Sequence, residues 1–366
     1  MRRGQDAGDE RVSREVNATD VAKLAGVSQS AVSRAFTPGA SVAAATRKRI
    51  LKAARTLGYR PNLIARSLIT RKSRVIGVAV GYLENQFNPQ ALQALSRELQ
   101  ALGYQVLLFT PDQDGTVDLG IEKVLQFQVD GLVLCSTTMS SSLARECDNS
   151  GIPVVMFNRA TNDSSVSSVT GDNVNGARAI AEFLAASGHR RFCFMAGLEH
   201  TSTSREREHG FTSWLAQNGY GEPLRIVGNY EFEAARDAVR LMCKQGPIPD
   251  ALFCANDHMA LAALEVCRSE FGLRIPDDIS IVGFDDAGPA RWPSFSLTSY
   301  SQPIEIMTSE TTRLLMDLIQ RGTSSPRQVI VKGDLIVRNS ARRPEVGVER
   351  VETQYVWRPA VVRPAG

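Results

Sequence analysis

Several things are missing from this sequence, and each absence removes a class of protein. No run of about eighteen apolar residues occurs in its 366 positions, so no segment is suited to span a bilayer. Residues 1–15 are charged throughout and lack the apolar centre of a secretory leader, which predicts a cytoplasmic protein. Six cysteines (Cys135, Cys147, Cys193, Cys243, Cys254 and Cys267) fall at irregular spacings with no Cys-x-x-Cys among them. They read as scattered core thiols in a reducing compartment, not as a disulfide framework or a zinc site. Four dispersed histidines (His189, His200, His209 and His258) suggest no metal cluster. A Gly-x-Gly-x-x-Gly turn after residues 75–80, a Walker lysine loop and a Gly-x-Ser-x-Gly elbow are all absent, so neither a cofactor nor catalysis is expected. Asp257 and His258 do not read as an acid–base pair, because adjacent residues on a helix point apart.

What is present is a packed chain with an uneven charge distribution. Its 43% hydrophobic and 22% charged residues are ordinary for a protein with an interior, and its length fits two or three domains. The net charge is only +3, yet residues 17–74 hold twelve Lys or Arg against a single acid, Asp20. The stretch before them is balanced, so everything after residue 74 sums to −8. A small cationic segment ahead of a large, mildly acidic one points to a polyanion reader joined to a second function.

Within the cationic segment, a first helix starts at Thr19 as cap, with Val21, Leu24 and Ala25 on one face. Gly26 ends it in a left-handed turn, and Ser28 caps a second helix over residues 29–36. This is a helix-turn-helix, with Val32, Ala35 and Phe36 inward and Gln29, Ser30, Ser33 and Arg34 outward. Gln29, Ser30 and Arg34 are the expected base contacts in the major groove: Gln29 suits adenine and Arg34 guanine, and the short Ser30 reads less directly. Thr19, Ser28 and Ser33 suit phosphate oxygens, which set register without reading sequence. A third helix over residues 44–57 turns Ile50, Leu51, Ala54 and Leu57 inward and five cations outward, and Gly58 ends it. A short, half-apolar segment at 59–68 then leads into a basic linker.

The run Asp20-Val21-Ala22-Lys23-Leu24-Ala25-Gly26-Val27-Ser28, with Ala31-Val32-Ser33-Arg34, Pro61-Asn62 and Ala65-Arg66-Ser67-Leu68, resembles the headpiece of the LacI/GalR family of transcriptional regulators. The resemblance implies that residues 62–73 form a hinge helix and linker. In the family, paired hinge helices enter the minor groove and a leucine wedges a base step apart; the matching residues are Leu68, with Ala65 and Arg66 beside it. Ala43 stands where the family usually has a capping serine, which weakens the third helix by about 1 kcal/mol unless Ser41 substitutes.

Beyond residue 74, apolar runs at 75–80, 106–109, 131–135, 154–157, 192–196, 251–254 and 279–283 alternate with amphipathic stretches at 88–102, 176–186, 211–218, 234–244 and 260–268. Such alternation predicts parallel sheets covered by helices, with a ligand at the carboxyl ends of the strands. Residues near those ends include Tyr82, Phe87, Asn158, Arg159, Arg207, Tyr230, Asn256, Asp257, Asp285 and Asp286. Aromatics, amides, carboxylates and arginine together suit a polyhydroxylated or anionic small molecule.

Asp172-Asn173-x-x-Gly176, Gly188-His189-Arg190, Arg207-x-x-Gly210-Phe211, Ala255-Asn256-Asp257-x-Met259-Ala260 and Gly283-Phe284-Asp285-Asp286 are similar to effector-domain motifs of the same family. The resemblance covers roughly residues 18–340. It implies a small all-α helix-turn-helix headpiece plus an α/β, two-lobed, type I periplasmic-binding-protein-like effector domain with three crossovers. The cleft positions it implies are Asn158, Arg207, Tyr230, Asn256, Asp285 and Gln302, to which the strand-end reading adds Tyr82 and Phe87. The family's Asp-x-x-Asn-Pro-Phe is replaced by Leu83-Glu84-Asn85-Gln86-Phe87 after Tyr82, so the roof of the cleft departs from a sugar binder's.

The expected organisation is a disordered tail (1–16), a headpiece (17–61), the hinge helix and linker (62–73), an effector-binding and dimerisation domain (74–340) and a disordered basic tail (341–366). Lobe 1 is expected at about 74–170 and 302–328, and lobe 2 at about 171–300 and 329–340. No leucine follows Leu335, so the leucine-heptad tail that makes some relatives tetramers is missing and a homodimer on a pseudo-palindromic operator is expected. The function expected is a repressor whose operator affinity is set by a sugar-like or sugar-acid-like effector. A secreted solute-binding protein, which shares the fold, is disfavoured by the basic headpiece and the missing leader.

Overall fold

The computed structural model describes residues 16–37, 39–60, 72–110, 126–137, 146–147, 149–161, 166–322 and 325–359, and divides into two compact units, Met1–Ser73 and Arg74–Gly366. The expected hinge residues Ala65, Arg66 and Leu68 lie outside the described residues, as does all of the expected N-terminal tail except Val16.

Among the described residues, the first unit holds three helices, α1 (Ala18–Ala25), α2 (Gln29–Ala35) and α3 (Ala44–Leu57). Asn17, not Thr19, caps α1. The backbone N–H groups of Thr19 and Asp20 donate to Asn17 Oδ1 at 2.9 and 3.2 Å, and Asn17 N–H donates back to Asp20 Oδ2 at 3.0 Å. This reciprocal box starts the helix at Ala18, which places Thr19 in the first turn with its side chain exposed. Gly26, at φ 62°, turns the chain, and Ser28 Oγ accepts from Ala31 N–H to start α2. No side chain caps α3 at Ala43, so Ser41 does not substitute. The core is built from small residues: Val21, Ala22, Ala25, Val32, Ala35, Ile50, Ala53 and Ala54. Leu24, expected inward, is 54% exposed; Ala22 takes the inward position, where alanine lets the helices pack closely.

The second unit contains two sheets. Lobe 1 is a six-stranded parallel sheet of β1 (Val75–Val80), β2 (Gln105–Phe109), β3 (Gly131–Cys135), β4 (Val154–Phe157), β5 (Ser167–Gly171) and β11 (Gln328–Val331), in the order β11-β5-β4-β3-β1-β2. Among its helices are α4 (Phe87–Ala101) and α9 (Ile304–Arg321). Lobe 2 is an eight-stranded sheet in the order β13-β14-β12-β10-β9-β8-β6-β7. Its strands are β6 (Phe192–Ala196), β7 (Leu224–Val227), β8 (Ala251–Cys254), β9 (Ser280–Asp285), β10 (Thr298–Ser301), β12 (Leu335–Val337), β13 (Val348–Val351) and β14 (Gln354–Trp357). Four helices pack in this lobe: α5 (Asn173–Ala186), α6 (Ser202–Gln217), α7 (Phe232–Gln245) and α8 (Asp257–Ser269). The chain passes between the lobes three times: from β5 to α5, from β10 to α9 and from β11 to β12. Lobe 1 therefore extends to Val331, three residues beyond the expected 328, because β11 pairs with β5.

The expectation of a disordered tail from residue 341 is wrong for much of that segment. Residues 348–357 form an antiparallel hairpin whose β14 pairs with β12 and extends the lobe 2 sheet. Trp357, only 5% exposed, anchors it with its ring edge-on to Phe183 at 5.6 Å, and Gly347 lies so close to that indole that a Cβ there would sit 2.6 Å from it. A Pro/Arg-rich composition concealed one buried aromatic. Residues 360–366 lie outside the described residues.

Apolar runs located β1, β3, β4, β6 and β8 at their observed bounds, but missed β5 and β10. Ser-Ser-Val-Thr-Gly and Thr-Ser-Tyr-Ser look like turns, yet β5 is buried throughout and β10 nearly so. Their hydroxyls serve as backbone partners: Ser167 Oγ accepts from Arg327 N–H at 3.1 Å, and Thr298 Oγ1 donates to Arg338 C=O at 3.2 Å. α6 was expected only from residue 211 because its first half, Ser-Thr-Ser-Arg-Glu-Arg-Glu-His-Gly, has no apolar face. The buried face there is polar: Thr203, Ser204 and Arg207.

Candidate functional site

On the headpiece, Ser28, Gln29, Ser30, Ser33 and Arg34 are all exposed, as the sequence reading required. Two of the serines are also engaged within the protein, since Ser28 Oγ both caps α2 and shares a hydrogen bond with Ser30 Oγ at 2.9 Å. Arg34 Nε donates to Ser30 C=O at 3.4 Å, leaving the end of its guanidinium at the surface of α2. Lys23, Lys48, Arg49, Lys52, Arg55 and Arg60 are exposed as well, while Arg47 folds back and donates to Ala40 C=O at 3.1 Å. A short helix presenting an amide and a guanidinium, among cations with one acid nearby, is suited to a duplex groove.

In the second unit, a cavity is lined by Tyr82, Asn85, Asn88, Ser136, Asn158, Arg159, Thr203, Arg207, Tyr230, Asn256 and Asp285. The strand ends of both lobes supply it. Five of these residues, Tyr82, Ser136, Asn158, Tyr230 and Asp285, have positive φ between 53 and 120°. Side chains other than glycine rarely adopt that backbone, and its concentration here re-aims the residues that follow the strands. Gly197, following β6, leaves room for Tyr230; a Cβ there would lie 2.1 Å from the phenol ring. Gly210 lets α6 approach α5 so closely that a Cβ would meet Val174 C=O at 2.2 Å.

Arg207 reaches the cavity from α6 and is 2% exposed. Its Nε donates to Asn173 Oδ1 at 2.9 Å and its Nη1 to Ala255 C=O at 2.5 Å, with Asp285 Oδ1 at 3.5 Å and the Phe284 ring 3.7 Å below. Asp285 also accepts from Gln302 Nε2 at 2.7 Å. Burial raises the Asp285 pKa to about 6, against the opposing pull of Arg207 and Gln302. On the lobe 1 side, Asn158 Nδ2 donates to Ser136 Oγ, Ser136 Oγ donates to Asn88 Oδ1, and Asn88 Nδ2 donates to the Gly81 and Tyr82 carbonyls, at 2.8–3.1 Å. Thr203 and Tyr230 share a hydroxyl hydrogen bond of 3.1 Å. Four buried polar atoms of the cleft residues lack partners: Arg207 Nη2, Asn158 Oδ1, Arg159 Nη1 and Asn256 Nδ2. Buried groups of this kind are normally satisfied, so they define where a ligand's polar atoms would go.

Among the sequence-derived cleft residues, Tyr82, Asn158, Arg159, Arg207, Tyr230, Asn256 and Asp285 come together in the lining. Gln302 stands one layer behind, holding Asp285. Phe87 does not reach the cavity: it is wholly buried in the lobe 1 core and stacks on Phe157 at 6.2 Å. Asp257 is structural, accepting from Ser299 Oγ at 2.6 Å and Ala287 N–H at 2.8 Å. Asp286 pairs with Arg338 at 2.7 Å and Arg291 at 3.0 Å. Sequence reasoning missed Asn85, Asn88, Ser136 and Thr203. Ser136 directly follows the run at 131–135, so the strand-end rule applied there would have found it.

The chain matches the family model for bacterial regulatory proteins of the lacI family over residues 18–62, and the model for a periplasmic binding protein-like domain over residues 181–341. The HTH-type transcriptional regulator CelR of Thermobifida fusca is 33% identical over 330 residues, covering 87% of this chain and 96% of CelR. The probable HTH-type transcriptional repressor ExuR of Bacillus subtilis (strain 168) is 30% identical over 338 residues, covering 90% and 99%. Among solved structures, a CelR–cellobiose complex matches at 30% identity with a TM-score of 0.67, covering 89% of this chain and 100% of that one. The Lac repressor dimer bound to operator and the anti-inducer ONPF matches at 26% identity with a TM-score of 0.80, covering 89% and 99%. With a headpiece, a two-lobed cleft and relatives of this likeness, the chain belongs to the lacI family of bacterial regulatory proteins, which are DNA-binding transcriptional regulators.

Proposed function

We propose that the chain acts in the cytoplasm as a homodimeric repressor whose operator affinity is set by a small polyhydroxylated effector in the interlobe cleft. In this reading Gln29 and Arg34 read base edges, with Ser30 beside them, and Thr19, Ser28 and Ser33 meet phosphates. The segment carrying Ala65, Arg66 and Leu68 enters the minor groove. Tyr82, Asn158, Arg207, Tyr230, Asn256 and Asp285 hold the effector, and Gln302 orients Asp285.

One observation carries the reading: a cavity between two lobes is lined by buried, unpartnered donors and acceptors and contains one buried ion pair, Arg207–Asp285. A sugar-like molecule offers the alternating donors and acceptors that such a lining lacks. Further support comes from the cellobiose seen with CelR and from the operator-bound dimer of the Lac repressor. No described helix is long and apolar enough to cross a membrane. Effector binding that moves one lobe against the other would separate the paired hinges and weaken the grip on DNA. Linkage then requires the operator to weaken the effector by the same factor.

The test is selection of duplex sites by the full-length protein from a random pool at fixed salt, followed by an effector screen on the selected site. A near-palindromic consensus released or tightened by one sugar-like compound supports the reading, and the direction of the change gives the sign of the response. Enrichment no better than random competitor at every salt tried would refute it. Leu68→Ala separates the hinge from the cleft: operator affinity should fall while effector affinity holds.

A further inference from the structure

Among the described residues, the cleft lining holds two guanidinium groups but only one carboxylate. Asp285 is committed to Arg207 at 3.5 Å and to Gln302 at 2.7 Å. Arg159, which follows β4, is only 4% exposed and lines the same cavity, and its Nη1 has no hydrogen-bond partner. Among the described residues no carboxylate lies in ion-pair contact with it. Its neighbour there is the Tyr82 ring, whose centre is 5.4 Å from the guanidinium carbon. Elsewhere in the unit, Arg338, also largely buried, does have an anion, Asp286 at 2.7 Å. Burial lowers the Arg159 pKa, opposed by the Tyr230 and Tyr82 phenols and the Tyr82 hydrogen bond, while the Arg207 charge adds a smaller lowering.

A buried charge without a partner is costly, and a hydroxyl can fill its hydrogen-bond site without cancelling its charge. A planar guanidinium with an unpartnered Nη1 can receive an oxygen of a carboxylate or phosphate. We propose that the effector carries an anionic group, a sugar carboxylate or a sugar phosphate, seated on Arg159, with its hydroxyls toward Arg207, Asp285 and the cleft amides. This rests on the cleft being the effector site. It adds that Arg159 is the specificity-determining residue selecting the charge of the ligand.

The experiment measures binding of matched sets to the full-length protein by calorimetry: D-glucose, D-glucuronate, D-gluconate and D-glucose 6-phosphate, the galactose series alike, and acetate and inorganic phosphate alone. An anionic member should bind about tenfold or more tighter than its neutral parent, and comparing acid with phosphate identifies which anion is used. Arg159→Gln should reduce that preference to within about threefold, Arg159→Lys should retain it, and Arg207→Ala should lose acid and neutral parent together. A neutral parent binding as tightly as its acid, a tenfold preference surviving in Arg159→Gln, or no anionic member binding at all would each overturn the proposal. A neutral sugar bound through Arg207 would overturn the anion site alone and leave the cleft reading standing. A second measurement needs no ligand: removing an unpaired buried charge, Arg159→Met should melt no lower than the parent. A clear drop in its melting temperature would show the charge already compensated in the empty protein, and the proposal would fail.

Discussion

In the headpiece, the side chains offered to a partner, Gln29, Ser30, Ser33 and Arg34, come from within one seven-residue helix and are exposed. In the effector unit, those offered to a ligand span Tyr82 to Asp285 in sequence, and most are buried. The first surface is local and additive: each residue can change with little effect on the fold. The second is assembled by tertiary structure, so each residue also supports its neighbours. A repressor built this way can shift operator preference by point substitutions on one helix, whereas changing the effector requires several coupled changes.

The sharpest test of this contrast is the residue where most cleft contacts converge. Arg207→Ala removes the partner of buried Asp285 and should weaken effector binding by about 3–5 kcal/mol, leaving a repressor that stays on its operator. Calorimetry and a release assay would check it, and normal induction would dissolve the contrast. Trp357→Ala should cost about 3 kcal/mol of effector-unit stability by removing a buried aromatic, measurable as a lower denaturant midpoint. Arg34→Ala should cost about 1–3 kcal/mol of operator affinity and relax specificity at one base, with the melting temperature unchanged. A large fall in melting temperature there would show that the headpiece surface is not independent of its core.

Proton linkage distinguishes the units as well. Asp285 has a pKa raised by burial to about 6 from its ordinary 3.8, so the folded state holds that proton more tightly than the unfolded one. Its contribution to stability is full below about pH 4 and is lost as the pH rises through about 6. Asp257, raised by burial too, acts with the same sign. Relative to Asp285→Asn, the native protein should therefore lose stability between about pH 4 and 6 in urea titrations at each pH. The smallest effect expected is in the headpiece, where Ala43→Ser should add about 1 kcal/mol by capping α3.

Legibility followed the same division. The helix-turn-helix could be read because its glycine turn, its caps and its apolar spacing all lie within twenty residues. The correction from Thr19 to Asn17 moved the cap of the first helix by two residues. In the effector unit, strands with apolar faces were legible, while β5, β10 and the first half of α6 were not. Those segments bury hydroxyls and a guanidinium against backbone and cleft, so their polarity reads as exposure. Thr203 was hidden for that reason. Phe87 was misassigned because position after a strand does not say which way a side chain turns, and the aromatic joined Phe157 in the core. Arg159 stood in the sequence as one more strand-end residue, and only its burial and the lack of a paired anion among the described residues gave it meaning.

The hairpin at 348–357 lies past residue 341, where the match to the binding-protein model stops. A truncation at that boundary would strip β12 of its outer neighbour, uncover the Phe183 ring and release Asp334, in the last passage between the lobes, from its ion pair with Arg358. An unsatisfied strand edge beside an apolar patch invites self-association. Shortening the chain at 341 should therefore give aggregates, whereas a chain that keeps residues through 359 retains the hairpin and its ion pair.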